Sequence, residues 1–170
     1  MTPRPLLASA LLSFALAAGL GACGGDDDGD QTRVTTDTSA PGEKTDGAPQ
    51  TLKARLSGAE EVPGPGVDVG VGAALVDVTG TKACYDLSAT LGEKPTAAHI
   101  HEGAKGAAGP VVVDLKPTFE SGESAFMARS CVDLAPDMAA SLVANPAGYY
   151  VNVHTATHPN GAIRGQLERA

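Results

Sequence analysis

The sequence predicts an all-β domain: a Greek-key barrel or an immunoglobulin-like sandwich of about eight strands, with one short helix near residues 136–144. Three observations carry this reading. Apolar and polar residues alternate with a period of two over most of residues 51–170. Clusters of Gly, Pro, Asn and Asp (PGPGVDVG, GEKPT, GAKGAAGP, HPNG) interrupt the alternation at strand-length intervals. A single stretch, APDMAASLVANPAG, shifts to helical spacing.

Ahead of this domain, residues 1–22 have the layout of a secretory signal. A short basic start at Arg4 is followed by an apolar run from Leu6 to Ala18 and then by small residues. The run is too short for a spanning helix. The tetrapeptide Leu20 to Cys23 resembles the lipobox of bacterial lipoproteins, and that resemblance implies lipidation of Cys23 and removal of the peptide before it. Residues 24–50 are acidic and lack Leu, Ile, Phe, Met and aromatic residues. Such a segment buries too little apolar area to offset its ordering entropy. Residues 23–50 therefore read as a lipidated cysteine with a disordered acidic tether, spanning roughly 30 Å as a flexible coil.

Within the domain, LKARL sets Leu52, Ala54 and Leu56 against Lys53 and Arg55. KACYDLSATL sets Ala83, Tyr85, Leu87, Ala89 and Leu91 against Lys82, Cys84, Asp86, Ser88 and Thr90. AALVDV, PVVVDL, SAFMARSCVDL, YYVNVHT and AIRGQLE are further strand-length runs. The helix at 136–144 starts on Pro136, suited to a first turn, and stops at Asn145, Pro146 and Gly148.

The chain carries a formal charge of −8. The domain's bases are scattered, which leaves no electrostatic footprint for nucleic acid. With Cys23 assigned to lipid, Cys84 and Cys131 are an even pair in an oxidising compartment, and a disulfide is the default. Neither has the CxxC spacing of a thiolate metal site.

The chain has four histidines. In AHIHE, alternation turns Ala98 and Ile100 to the core and puts His99 and His101 on the opposite face, about 7 Å apart. In YYVNVHT, Tyr149, Val151 and Val153 make one face, and Tyr150, Asn152 and His154 the other. If the two strands are neighbours, three imidazoles converge into a three-nitrogen site for copper or zinc, with His158 in the next turn as a candidate fourth ligand. The competing reading makes the imidazoles hydrogen-bonding posts for the Gly-rich loop after His101. Glu102 and Asp114 lie near in sequence without a spacing that assigns them a role. Adjacent Glu60 and Glu61 would point to opposite faces of a strand. No serine has a GxSxG setting, and GAKGAAGP is not a phosphate loop, so no catalytic constellation is formed.

LSGAEEVPGPG, AAHIHEGAKGAAGPVVVDL and YYVNVHTATHPNGAIRGQL together resemble the signature blocks of the CHRD domain family, the domain named after chordin, from about Leu52 to Glu168. The resemblance implies the β-barrel or sandwich fold. In chordin the repeats belong to an extracellular protein that binds growth factors, and fold analogy does not transfer that ligand. The family is also faintly similar to copper–zinc superoxide dismutases. That similarity matches His99, His101 and His154 to copper-type positions and compares Arg164 with an anion-guiding arginine. A bridging histidine and a zinc cluster have no counterpart here.

The expected protein is thus an extracytoplasmic lipoprotein, anchored to a bacterial membrane through Cys23. Its CHRD domain would act as a noncatalytic binding or structural module of the cell envelope, with an extracytoplasmic protein or ligand as partner. The alternative is a copper- or zinc-binding protein with dismutase-like redox chemistry.

Overall fold

The computed structural model describes residues 48–122 and 125–170. The expected signal peptide, Cys23 and nearly all of the tether lie outside the described residues. Among the described residues, ten strands form one antiparallel sheet that curls into a half-barrel. They are β1 (Gln50–Ser57), β2 (Val71–Thr79), β3 (Lys82–Thr90), β4 (Pro95–Glu102), β5 (Val111–Asp114), β6 (Glu120–Ser121), β7 (Phe126–Asp133), β8 (Tyr149–Thr155), β9 (Ile163–Gln166) and β10 (Glu168–Arg169). The path across the sheet is β5-β4-β8-β9-β1-β2-β3-β7-β6, with β10 pairing β1 beyond β9. Of the barrel and sandwich readings, the chain takes the curled single sheet. The strands beyond about eight arise where short runs pair locally: β6 and β10 have two residues each.

Alternation places the core as expected. Leu52, Ala54 and Leu56 of β1, Val76 and Val78 of β2, and Ala83, Tyr85, Leu87 and Ala89 of β3 are buried in one cluster. Ala98 and Ile100 of β4, Val151 and Val153 of β8, and Ile163 of β9 complete it from the other half of the sheet. The Tyr85 hydroxyl donates to the Leu115 carbonyl at 3.0 Å, so a buried polar tip stays satisfied. The helix, α1 (Pro136–Ala144), has the predicted bounds and adds Ala139 and Leu142 to the core. Pro136 occupies its first turn, where a missing N–H costs no helical hydrogen bond. No helix among the described residues is long and apolar enough to cross a membrane.

Cys84 and Cys131 face each other across β3 and β7 and form a disulfide. They are 47 positions apart. Closing a loop of that length is worth about 3 to 4 kcal/mol in the chain-entropy model. Reduction of the domain is therefore expected to lower its Tm by at least about 10 °C. Differential scanning calorimetry with and without reductant checks this, and an unchanged Tm would show that the bond adds nothing to stability.

Candidate metal centre

The site is built where β4, β8 and β9 run side by side. The registers His99↔Asn152, His101↔Tyr150 and Asn152↔Arg164 align side chains of one face across three strands. A shift in register between Pro95 and Ala97 brings Ala97 opposite His154. All seven residues of β8 are buried. One face of β8 meets the apolar core, and loops cover the other, polar face.

Three histidines meet on that polar face. One ligand atom each from His99, His101 and His154 lies within 4.8 Å of the others. His99 Nδ1 and His154 Nε2 are 3.0 Å apart. His101 and His154 are buried, and His99 is half-buried. His101 and His154 each use the remaining nitrogen on a loop carbonyl. His101 Nδ1–H donates to the Gly109 carbonyl at 2.9 Å, and His154 Nδ1–H donates to the Pro159 carbonyl at 3.1 Å. His99 Nε2 faces Asp114 Oδ1 at 3.8 Å across β4 and β5. The loop carbonyls assign the tautomers of His101 and His154, so His99 Nδ1–H donates to His154 Nε2, and His101 Nε2 is left buried with no hydrogen-bond partner.

Electrostatics keep the rings in ligand form. Burial, then the neighbouring His99, pushes His154 down to about 4, with its bond to Pro159 opposing. Burial also lowers His101. Both rings are therefore neutral at pH 7, with lone pairs available to a metal. With metal–nitrogen bonds of about 2.0–2.1 Å, three ligand nitrogens stand about 3.4 Å apart. The 3.0 Å pair is near that spacing, and the three atoms together lie within 4.8 Å.

The structure separates the other expected residues. His158 stands outside the three-histidine cluster. Its Nδ1 lies 2.9 Å from the Thr157 hydroxyl and 3.9 Å from Glu93 Oε1. Arg164 does not stand at a solvent-open mouth. It is 2% exposed, its Cζ lies 3.4 Å from the Tyr150 ring centroid, and Nη2 donates to the Ala104 carbonyl at 3.1 Å. Tyr150 thus has Arg164 from β9 on its ring and His101 from β4 stacked at 4.8 Å. Asp114, which had no assigned role, faces His99.

One nitrogen of His101 braces the Gly-rich loop, and the other is turned toward the rings of His99 and His154. Tyr150, Arg164 and Gln166 also hold that loop, at Gly109, Ala104 and Gly103. Sequence reasoning missed Glu61. It follows a short 3-10 turn, Gly58–Glu60, rather than continuing a strand, and it is buried while Glu60 pairs outward with Lys105. The available signal was an acid inside a Gly- and Pro-rich block that also carries the family resemblance.

The turn beside His154 is equally tight. Gly161 has φ +145°, and a Cβ there would lie 2.3 Å from Glu61 Oε2 and 2.8 Å from Asn152 Nδ2. Gly161→Ala is expected to cost about 2 to 3 kcal/mol through strain and overlap, read as a lower denaturation midpoint in urea. An unchanged midpoint would show that the turn relaxes freely.

A family model described as the CHRD domain matches residues 52–167. Searches of the curated proteins and of the solved structures gave no significant match. The family match spans nearly all of the described chain and supports a binding or structural module. The chain belongs to the CHRD domain family.

Proposed function

We propose that this CHRD domain is a metal-binding module held outside the cytoplasm by a lipid on Cys23, with copper or zinc bound by His99, His101 and His154. The observation that carries the reading is the division of labour among the ring nitrogens. His101 and His154 each spend Nδ1 on a loop carbonyl, and one ligand atom from each of the three rings lies within 4.8 Å of the others. Imidazole nitrogens suit copper and zinc, and outward partners of this kind fix ligand tautomers and raise ligand basicity. Surface hollows such as the one between α1 and Gln50, and the one over Val71 and Leu75, contain none of the three histidines. An ion fits the triad better than an organic substrate does. The dismutase-like variant gains little support, since Arg164 is turned inward to Tyr150 and Ala104.

A second reading is a noncatalytic module with an extracytoplasmic protein partner, its histidines serving as braces. The His101–Gly109 bond favours it. Loading with copper or zinc followed by desalting separates the two. The metal reading expects close to one retained equivalent, reduced at least tenfold in His154→Ala. No retention by the wild-type protein would leave the bracing role alone.

The anchor rests on the Leu20 to Cys23 tetrapeptide and the acidic segment after it. Cys23→Ser is expected to move the protein from the membrane pellet to the soluble fraction. Continued sedimentation with membranes would remove the lipid from the account.

A further inference from the structure

Glu61 is a buried carboxyl that the triad leaves unused. It is 7% exposed. Its Oε2 accepts from Asn152 Nδ2 at 3.4 Å, and its Oε1 is buried without a partner. A Cβ on Gly66 would lie 2.6 Å from Glu61 Cγ, and one on Gly161 would lie 2.3 Å from Oε2. Two glycines thus make the space that the carboxyl occupies.

Both neighbours of that carboxyl lead to the histidines. Asn152 is the register partner of His99 on one side and of Arg164 on the other, and it lies two residues from His154. Gly161 belongs to the turn whose Pro159 carbonyl orients His154 and whose Gly161 N–H bonds to the His158 carbonyl. Displacing Glu61 therefore disturbs the strand position between the ligands and the turn that aims one of them.

We propose that Glu61 is a positioning residue of the metal centre, whose ionised carboxylate seats Asn152 and the 158–162 turn and supplies a nearby negative charge that favours a bound cation. This rests on the metal-binding reading above and adds a proton-linked control to it. The groups facing Glu61 are few. Arg164 faces it from β9, neutral Asn152 from β8, and the Gly161 backbone from the turn. In its own loop, Glu60 is turned to Lys105 at 3.0 Å.

Burial raises the Glu61 carboxyl to about 7, against the opposing pull of Arg164, Asn152 and the Val62 N–H. Near neutral pH the site thus exchanges one proton. A cation favours the ionised form, so metal affinity rises as pH increases through about 7, and metal loading expels the proton by the same coupling. A unit charge one to two strand spacings from an ion, at the effective dielectric of a protein, changes affinity on the order of tenfold.

The test compares zinc affinity of the wild-type protein and Glu61→Gln between about pH 6 and about pH 8, in a buffer that does not coordinate zinc. The wild type is expected to gain on the order of tenfold more affinity than the variant across that window. Parallel profiles, including a uniform loss at every pH, would overturn the proposal, because a purely structural role lowers both ends alike. A wild-type protein that binds no zinc overturns the metal reading itself, a result distinct from parallel profiles. If Glu61→Gln does not fold, the protonated-carboxyl infrared band of the wild type on the acidic side of the window decides. Its loss on zinc addition supports the assignment, and its persistence with zinc bound refutes it.

Discussion

The rest of the structure depends on burying β8 from both sides. A strand of a curled sheet ordinarily gives one face to the core and the other to water. Here Tyr149, Val151 and Val153 face the core, while Tyr150, Asn152 and His154 are also withdrawn from solvent. Polar side chains withdrawn from water need partners. That requirement fixes the loops over this face, because loop carbonyls are the acceptors within reach. His101 takes Gly109, His154 takes Pro159, Arg164 takes Ala104, and Gln166 takes Gly103. The glycines follow from the same closeness. A Cβ at Gly109 would lie 1.6 Å from the Glu102 carbonyl oxygen, so any larger residue forces the loop away from its anchors.

Imidazole suits this arrangement because its two nitrogens divide the work. In the neutral ring one nitrogen donates and the other accepts. Once Nδ1–H of His101 and His154 holds a loop carbonyl, the lone pair of Nε2 necessarily faces the other way, toward the neighbouring ring. A brace at Nδ1 and an outward lone pair at Nε2 are therefore two ends of one tautomer. Lysine or arginine on this strand face would supply donors without a lone pair, and asparagine would be too short to reach both the loop and the adjacent strand.

The fold and the histidine cluster were legible in the sequence for one reason: alternation reports which face a residue takes. It put His99 and His101 together, His154 with Asn152, and the core on Leu52, Ile100 and Val151. Pro136 and Asn145 bounded α1 for reasons local to the helix. Alternation does not report what covers a face. The burial of Arg164, the approach of Asp114 to His99 and the inward turn of Glu61 depend on strand order and on loops that return from far along the chain. Val67 N–H, for instance, bonds to the Ala162 carbonyl at 2.9 Å, and this contact shuts the 58–70 loop over β9. The separation of His158 from the triad has a similar origin. Thr155 and Thr157 hold its ring within its own turn, and one sequence motif does not reveal that competition.

The buried polar groups without a partner gather on the face that carries the three histidines. Among the described residues, the buried side-chain atoms without a partner are Glu61 Oε1, His101 Nε2, Asn152 Oδ1, Arg164 Nη1 and Gln166 Oε1. All five belong to the polar face of β4, β8 and β9 or to the loop above it. Elsewhere the buried side chains are mostly apolar, and the Tyr85 hydroxyl finds Leu115. Each such atom costs on the order of 1–3 kcal/mol when isolated. The half-barrel thus carries one polar buried face, held by loop carbonyls at Gly109, Pro159 and Ala104, on an otherwise apolar interior, and departures of that kind from local consistency concentrate at functional or strained positions.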